Sequence, residues 1–379
     1  MDRPRIAVIG AGAGGLATAV HLSLAGLPPL LVNRSPDRIL PLMERPVVAV
    51  EGVWQGEVPL AAATADLSVV ASVDVVIVAT PATAHRELAT SLAPYLSARH
   101  LVVLHPGRTL GALEFAAVLQ QAGTQVRAVA ETDTLLYTAR SYALGRVRVS
   151  GLKRRVRVAA LPPWQTAEVL AVLRPLGPRF VPAPHVLATG IHNIGAMFHP
   201  APMLLNAGRI QAGERFEYYR EGITPAVATL VRGLDRERLA VGRAWGVRAE
   251  PVETWMRRHY GLPRELETLE ALVAANSAYA GVMAPETLEH RYLLEDVPTG
   301  LVPLARLGRL AGVETPLMEA VIDMASHLVG VDFRRSGRSL ERMGLGGVSA
   351  RRLMEIVMTG LPAPSEMGEP ADLALEALS

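Results

Sequence analysis

The chain of 379 residues contains no cysteine, which excludes a disulfide framework, a thiol nucleophile, iron–sulfur clusters and cysteine-ligated zinc, and is compatible with any redox compartment. Lysine is nearly absent as well. Lys153 is the sole one, so the other basic residues are arginines, and this argues against Schiff-base lysine chemistry. No GxxxxGK[ST] phosphate loop is present. No run reaches the roughly 18 uninterrupted apolar residues of a membrane span. The N-terminus, Met1-Asp2-Arg3-Pro4-Arg5, passes straight into an apolar strand pattern without the succession of a signal peptide. A cytoplasmic protein without a membrane partner is therefore expected. A formal net charge of +2 is too small to imply a nucleic-acid partner, and no metal-ligating set is expected.

What is there is an ordinary globular composition, 50% hydrophobic and 20% charged, with 33 Gly and 28 Pro. The length is about twice a ~150-residue domain, so two domains are expected. Ile6-Ala7-Val8-Ile9, Leu30-Leu31-Val32, Val75-Val76-Ile77-Val78-Ala79 and Leu101-Val102-Val103-Leu104 read as fully apolar strands. Leu16 to Ala25 reads as a helix between the first two, and helix-length segments lie between the last two and beyond them. Such alternation implies a parallel sheet covered on both faces, a doubly wound Rossmann-type α/β domain. Strand-like stretches from about Arg146 to Val181, with a helix near Thr166 to Leu173, extend or close it. At Val181-Pro182-Ala183-Pro184 the pattern changes to long helical periodicity. Helices are predicted over Thr224 to Trp245, where Thr224-Pro225 supplies an N-cap and a first-turn proline, and over Pro303 to Gly312 and Pro316 to Val329. The expected division is 1–183 for a dinucleotide-binding domain, 184–362 for a mainly α-helical substrate domain and 363–379 for a C-terminal tail.

Gly10-Ala11-Gly12-Ala13-Gly14-Gly15 satisfies GxGxxG through Gly10, Gly12 and Gly15, between the first strand and the first helix. The three glycines permit the tight turn, the approach of a pyrophosphate, and close packing of helix on strand, with Ala13 among the residues expected at the cofactor. The second strand ends Val32-Asn33-Arg34-Ser35, and no carboxylate follows until Asp37. Arg34 can pair with a 2′-phosphate and Asn33 and Ser35 can donate to it, so NADPH is expected to be preferred, with NADH as the other candidate. Thr80-Pro81, just past a core strand, is placed where a loop meets the ribose or nicotinamide.

His192-Asn193-Ile194-Gly195-Ala196-Met197-Phe198-His199-Pro200-Ala201-Pro202 sets polar residues among apolar ones. Pro200 suits the first position of a new helix, leaving His199 near its N-cap, where the macrodipole disfavours imidazolium. A neutral imidazole able to exchange a proton near neutral pH follows. Asp296 is a candidate carboxylate partner, in His290-Arg291-Tyr292-Leu293-Leu294-Glu295-Asp296-Val297-Pro298-Thr299-Gly300, where Pro298 and Gly300 mark a loop.

On the Gly10–Gly15 loop, Gly111-Ala112-Leu113-Glu114-Phe115, Glu131-Thr132-Asp133-Thr134, the His192-Asn193 and His199-Pro200 pairs, Arg291 to Pro303 and Gly337-Arg338-Ser339-Leu340-Glu341, the chain resembles the octopine/nopaline, or opine, dehydrogenase family. The resemblance implies NAD(P)H-dependent reductive condensation of an amino acid's amine with a 2-oxo acid of the pyruvate, glyoxylate or 2-oxoglutarate type. It implies that His199 is the acid/base, that Asp296 orients it, and that Arg291 binds a substrate carboxylate. Asn193 and Asn206 are further candidates for substrate hydrogen bonds, and His192 is the rival to His199. Tyr218, Tyr219 and Arg220 resemble another family motif and receive no role. A homodimer is an open expectation. Two other readings remain: a two-domain carbonyl or 2-oxo-acid reductase, and an NADP-binding sensor without turnover. The ketopantoate type of reductase usually relies on a lysine, and Lys153-Arg154-Arg155 reads as a charged surface run, which weakens the first of these.

Overall fold

The computed structural model describes residues 3–362; the expected tail at 363–379 lies outside them. The main sheet has eight strands in the spatial order Phe180–Pro182, Val156–Leu161, Ala128–Thr132, Leu101–Leu104, Val75–Val78, Ile6–Ile9, Leu30–Val32 and Ala62–Thr64. All neighbours run parallel except Val156–Leu161 against Ala128–Thr132. Strands Ile6–Ile9, Val75–Val78 and Leu101–Leu104 are buried along their whole length, as an apolar run covered on both faces requires. The order of pairing reverses between Ile6–Ile9 and Val75–Val78, so a crevice opens at the carboxyl ends of those two strands.

One element went unread in the sequence. A second sheet of four strands runs Gly56–Pro59, Val47–Gly52, Arg146–Leu152 and Tyr137–Ala143. Its inner residues Val48, Val50, Val147 and Val149 share a core with helix Ala13–Leu24. The segment from Arg146 therefore divides: its first strand belongs to this small sheet, and only Val156–Leu161 and Phe180–Pro182 extend the large one.

The last strand ends at Pro182, and helix Val186–Ile191 follows, capped by His185 Nδ1, which accepts from the Ala188 N–H. From here the described chain is helical. Helix Pro225–Ala244 is the longest, with Thr224 Oγ1 accepting from Val227 N–H and Pro225 in the first turn. It packs against helices Pro200–Leu205, Val302–Leu310 and Pro316–Val329. The loop expected at Pro298 and Gly300 is instead helical. Arg291–Leu294 is an α-helix, Val297–Leu301 is a π turn, and Val302–Leu310 continues as α-helix. Proline removes one rung of the ladder and the turn widens rather than ending. Thr299 restores contacts by donating both its N–H and its hydroxyl to Glu295 O, at 3.0 and 2.7 Å. Gly300 is required there because a Cβ would come within 2.6 Å of the Ala196 Cβ.

Candidate active site

The glycine loop sits at the crevice. Gly10 has φ +110, and a Cβ on Gly15 would lie 1.7 Å from Gly10 O, so strand and helix touch only because neither residue carries a side chain. Gly12 differs, since a Cβ there would meet nothing within 4 Å. That open space, beside the first turn of helix Ala13–Leu24, suits a dinucleotide pyrophosphate. Gly12, Ala13, Thr80 and Pro81 all border one cavity of about 400 Å³, and Thr80 Oγ1 is buried with no hydrogen-bond partner. The residues present therefore fit a nicotinamide dinucleotide. Asn33 is placed differently from its expected donor role: its Oδ1 accepts from Ala11 N–H and its Nδ2 donates to Ser35 O, both at 3.0 Å, so it braces the glycine loop. Arg34 is exposed and paired with the exposed Glu87. Ser35 precedes the turn Pro36–Arg38 without capping it through its side chain.

At the other end of the cavity the structure brings His199 and Asp296 together, although they are 97 residues apart in sequence. His199 Nδ1 lies 2.6 Å from Asp296 Oδ2. With Nδ1–H donating to the carboxylate, Nε2 accepts from the Tyr219 hydroxyl at 3.2 Å, and the imidazole ring stacks on Tyr292 at 4.2 Å. Pro200 does begin a helix, Pro200–Leu205, with His199 at its N-cap. Asp296 is completely buried. Burial alone raises its carboxyl, but the Arg108 guanidinium and His199 outweigh it and bring it down to about 2.

Arg108 was not singled out in the sequence. It is buried, has φ +63, and sets Nη1 3.1 Å from Asp296 Oδ1 at ion-pair distance but without hydrogen-bond alignment. Its Nε is 3.4 Å from Glu295 Oε1, which also accepts from Ala82 N–H. Burial opposes the charge on Arg108; Asp296 and Glu295 more than offset it. Gly195 permits this approach, because a Cβ there would be 2.6 Å from Arg108 Nη1. Arg338, in one of the resemblance motifs, holds the same loop from behind: it pairs with Glu114 at 2.7 Å and donates to Gly107 O, Thr109 O and Ala82 O.

Arg291 borders the cavity and is 57% exposed at its side chain, with Nε 3.3 Å from Glu295 Oε2. Asn193 also borders it, with Oδ1 3.4 Å from Arg108 Nη1. Asn206 does not: its Nδ2 donates to Pro202 O and Gly222 O, a structural tie between segments. His192 lines the cavity, but its Nδ1 is bonded to Ala188 O, and burial, aided by Arg157, drives its imidazolium down to about 3. Among the described residues it has no carboxylate partner, whereas His199 has Asp296.

Lys153 corrects its sequence reading. It is buried, borders the cavity and donates Nζ–H to Leu135 O at 2.7 Å. Burial pulls its ammonium down to about 8 against the attraction of Asp133. The signal for its position was its place just after strand Arg146–Leu152, whose valines point inward. The run of bases masked it. Among the described residues no helix is long and apolar enough to cross a membrane, and no group of three His, Asp or Glu side chains suits a metal ion.

Residues 182–329 match the family model for the alpha-helical domain of NAD/NADP octopine/nopaline dehydrogenase, and residues 6–114 match that for ketopantoate reductase PanE/ApbA. An opine dehydrogenase from Arthrobacter sp. (strain 1C) is 38% identical over 353 residues, 93% of this chain and 98% of that protein. The structure of octopine dehydrogenase with NADH and L-arginine shares the fold at a TM-score of 0.78 and 22% identity, covering 95% of this chain and 98% of that one. Yersinopine dehydrogenase with NADP+ bound does so at 0.70 and 19%, covering 94% and 98%.

Proposed function

The chain belongs to the opine dehydrogenase family, and from that premise we propose that it reductively condenses an amino acid's amine with a 2-oxo acid, using NADPH in preference to NADH. The observation that carries this reading is the 2.6 Å contact of His199 with a buried carboxylate in the cavity that also meets the glycine loop. Part of the proposal is a division of the chain at residue 183 into a dinucleotide-binding part and a substrate part. The NADPH preference rests on Arg34: its ion pair with Glu87 is exposed on both sides, so little is lost when the guanidinium turns to a phosphate dianion.

A bound nicotinamide dinucleotide supplies the hydride. The chain's own residues do the rest. His199 Nε2 takes a proton from the substrate ammonium, freeing the amine to attack the oxo carbon, and returns a proton to the hydroxyl that leaves as water. Asp296 holds the Nδ1–H tautomer and stabilises the imidazolium formed in between. Arg291, exposed at its side chain and paired with Glu295 through Nε at 3.3 Å, clamps a substrate carboxylate with its fork. Aromatic walls and buried ion pairs exclude water from an imine that water would hydrolyse.

Carbonyl reduction without an amine is the second reading, favoured by the ketopantoate reductase match over residues 6–114 and by the buried Lys153. In that reading the His199–Asp296 pair would protonate the carbonyl oxygen as hydride arrives, so the pair serves both readings and the amine requirement decides between them. Oxidation of NADPH with pyruvate, glyoxylate or 2-oxoglutarate, measured with and without amino acids, separates the two. Our reading expects oxidation to require both partners; oxidation with the oxo acid alone assigns the chain to carbonyl reduction.

A further inference from the structure

Aromatic residues make up only 4% of this chain, yet five of its eight tyrosines border the cavity that holds His199. Four of them, with Trp255, form a continuous wall that begins at the acid/base. Tyr219 bonds His199 Nε2 and stacks on Tyr279 at 4.1 Å and 16°. Tyr260 meets the edge of Tyr279 at 5.5 Å, Trp255 meets Tyr260 at 5.9 Å, and Tyr292 stacks on the imidazole. These rings come from separate segments: helix Val252–Tyr260, the turn Ser277–Tyr279, helix Arg291–Leu294 and the loop before Thr224. Convergence of scarce rings from separate segments onto one cavity is hard to attribute to packing alone, because the core elsewhere is mostly Val, Leu, Ile and Ala with scattered Phe and Met.

The charges bordering the cavity point the same way. Its two carboxylates are ion-paired, Asp133 with Arg157 at 3.1 Å and with the Arg157 N–H at 3.0 Å, Glu295 through Oε1 with Arg108 and Ala82 N–H and through Oε2, which makes no hydrogen bond, with Arg291 at 3.3 Å. Four cations border it as well, namely Arg108, Arg140, Lys153 and Arg291. An aromatic cage can attract a cationic side chain through ring faces, but here that attraction is opposed by an excess of fixed positive charge, and no free carboxylate among the described residues receives a guanidinium. Those cations would attract a carboxylate-bearing side chain, while the ring wall would strip its hydration without replacing it.

We propose that the amine substrate is an amino acid whose side chain is apolar or aromatic, seated against Tyr219, Tyr279 and Trp255, and that arginine-like amino acids are poor partners. This rests on the opine reading above. An amine within a hydrogen bond of His199 Nε2 lies beside Tyr219, and with its carboxylate at Arg291 the side chain has the ring wall as its remaining neighbour.

The test compares phenylalanine, leucine, alanine and arginine as amine partners with NADPH and pyruvate. Expected is a kcat/KM for phenylalanine and leucine about ten- to hundredfold above the other two, with the Tyr279→Ser variant losing most of the preference over alanine through KM and Tyr279→Phe keeping it. Arginine matching phenylalanine overturns the proposal. A second readout does not depend on turnover: phenylalanine titrated into the enzyme with NADPH quenches tryptophan fluorescence through Trp255, and arginine at the same concentration does not. Should no amine and oxo-acid pair turn over, the opine reading fails, while phenylalanine-selective quenching still supports the aromatic pocket and arginine-selective quenching removes it.

Discussion

The two ends of the cavity are built on different physics. The cofactor end is backbone and emptiness: three glycines, one of them facing open space, and a buried threonine hydroxyl with nothing to bond. The substrate end is dense with charge and held by ion pairs, with Arg108 between Glu295 and Asp296 and Asp296 between Arg108 and His199. A substitution at Gly12 acts through shape and leaves the apo fold intact, whereas Gly10 and Gly15 have no room for a Cβ. At the second end a substitution strands a charge in a medium where stranded charges are expensive.

That contrast can be broken most forcefully at His199. His199→Ala should lower kcat by about 10²- to 10⁴-fold, the range for a positioned acid/base, while NADPH affinity stays within about twofold; steady-state kinetics beside a fluorescence titration measures both. Arg108→Met comes next. Removing the cation that Asp296 and Glu295 share should cost about 3–5 kcal/mol of folding stability in a denaturant titration, and an unchanged midpoint would show that the two carboxylates are not held as described. Gly12→Val sharpens the comparison from the other side: its melting temperature should match the parent's, since a Cβ there meets nothing within 4 Å, whereas the Kd for NADPH should rise at least about tenfold. Arg34→Ser should lower the NADPH-to-NADH ratio of kcat/KM by about tenfold without altering the rate at saturating cofactor, reflecting one lost charge-assisted contact.

The smallest effect concerns the scaffold between the two ends. Glu131 accepts from Ala112 N–H and from the Thr189 hydroxyl, and burial raises its carboxyl from 4.5 to about 7. A raised carboxyl means the folded state keeps a proton that the unfolded state has released. Its favourable contribution is therefore complete below pH 4.5 and is lost as the pH rises through about 7. Glu131→Gln should flatten the melting temperature's decline over that interval by a few degrees, leaving the part due to Asp133, which burial raises to about 6.

How much of this was legible in the sequence follows the same division. The cofactor end is local: one strand, one loop and one helix within 20 residues carry it, so pattern and position sufficed for Gly10 to Gly15. The large sheet was legible because its strands are continuous apolar runs. The small sheet was not, since Val47–Gly52 and Gly56–Pro59 are half exposed, and the partner of the former lies about a hundred residues on at Arg146–Leu152. At the substrate end His199 and Asp296 could be paired only through the family resemblance, because no spacing rule joins residues 97 apart. Arg108 follows His105-Pro106-Gly107 and looks like a turn residue; its role depends on a positive φ and on Gly195 making room. Asn206 looked polar enough to meet substrate, yet the backbone carbonyls of Pro202 and Gly222 consume its amide.

The central claim is that hydride reaches an imine assembled beside His199. The most direct measurement supplies NADPH deuterated at the transferred position of the nicotinamide, with pyruvate and phenylalanine, and locates the label by mass spectrometry and NMR. The account predicts a secondary amine dicarboxylic acid carrying deuterium on the former oxo carbon, formed by the parent and not by His199→Ala. Deuterated lactate, with phenylalanine recovered unchanged, would contradict it.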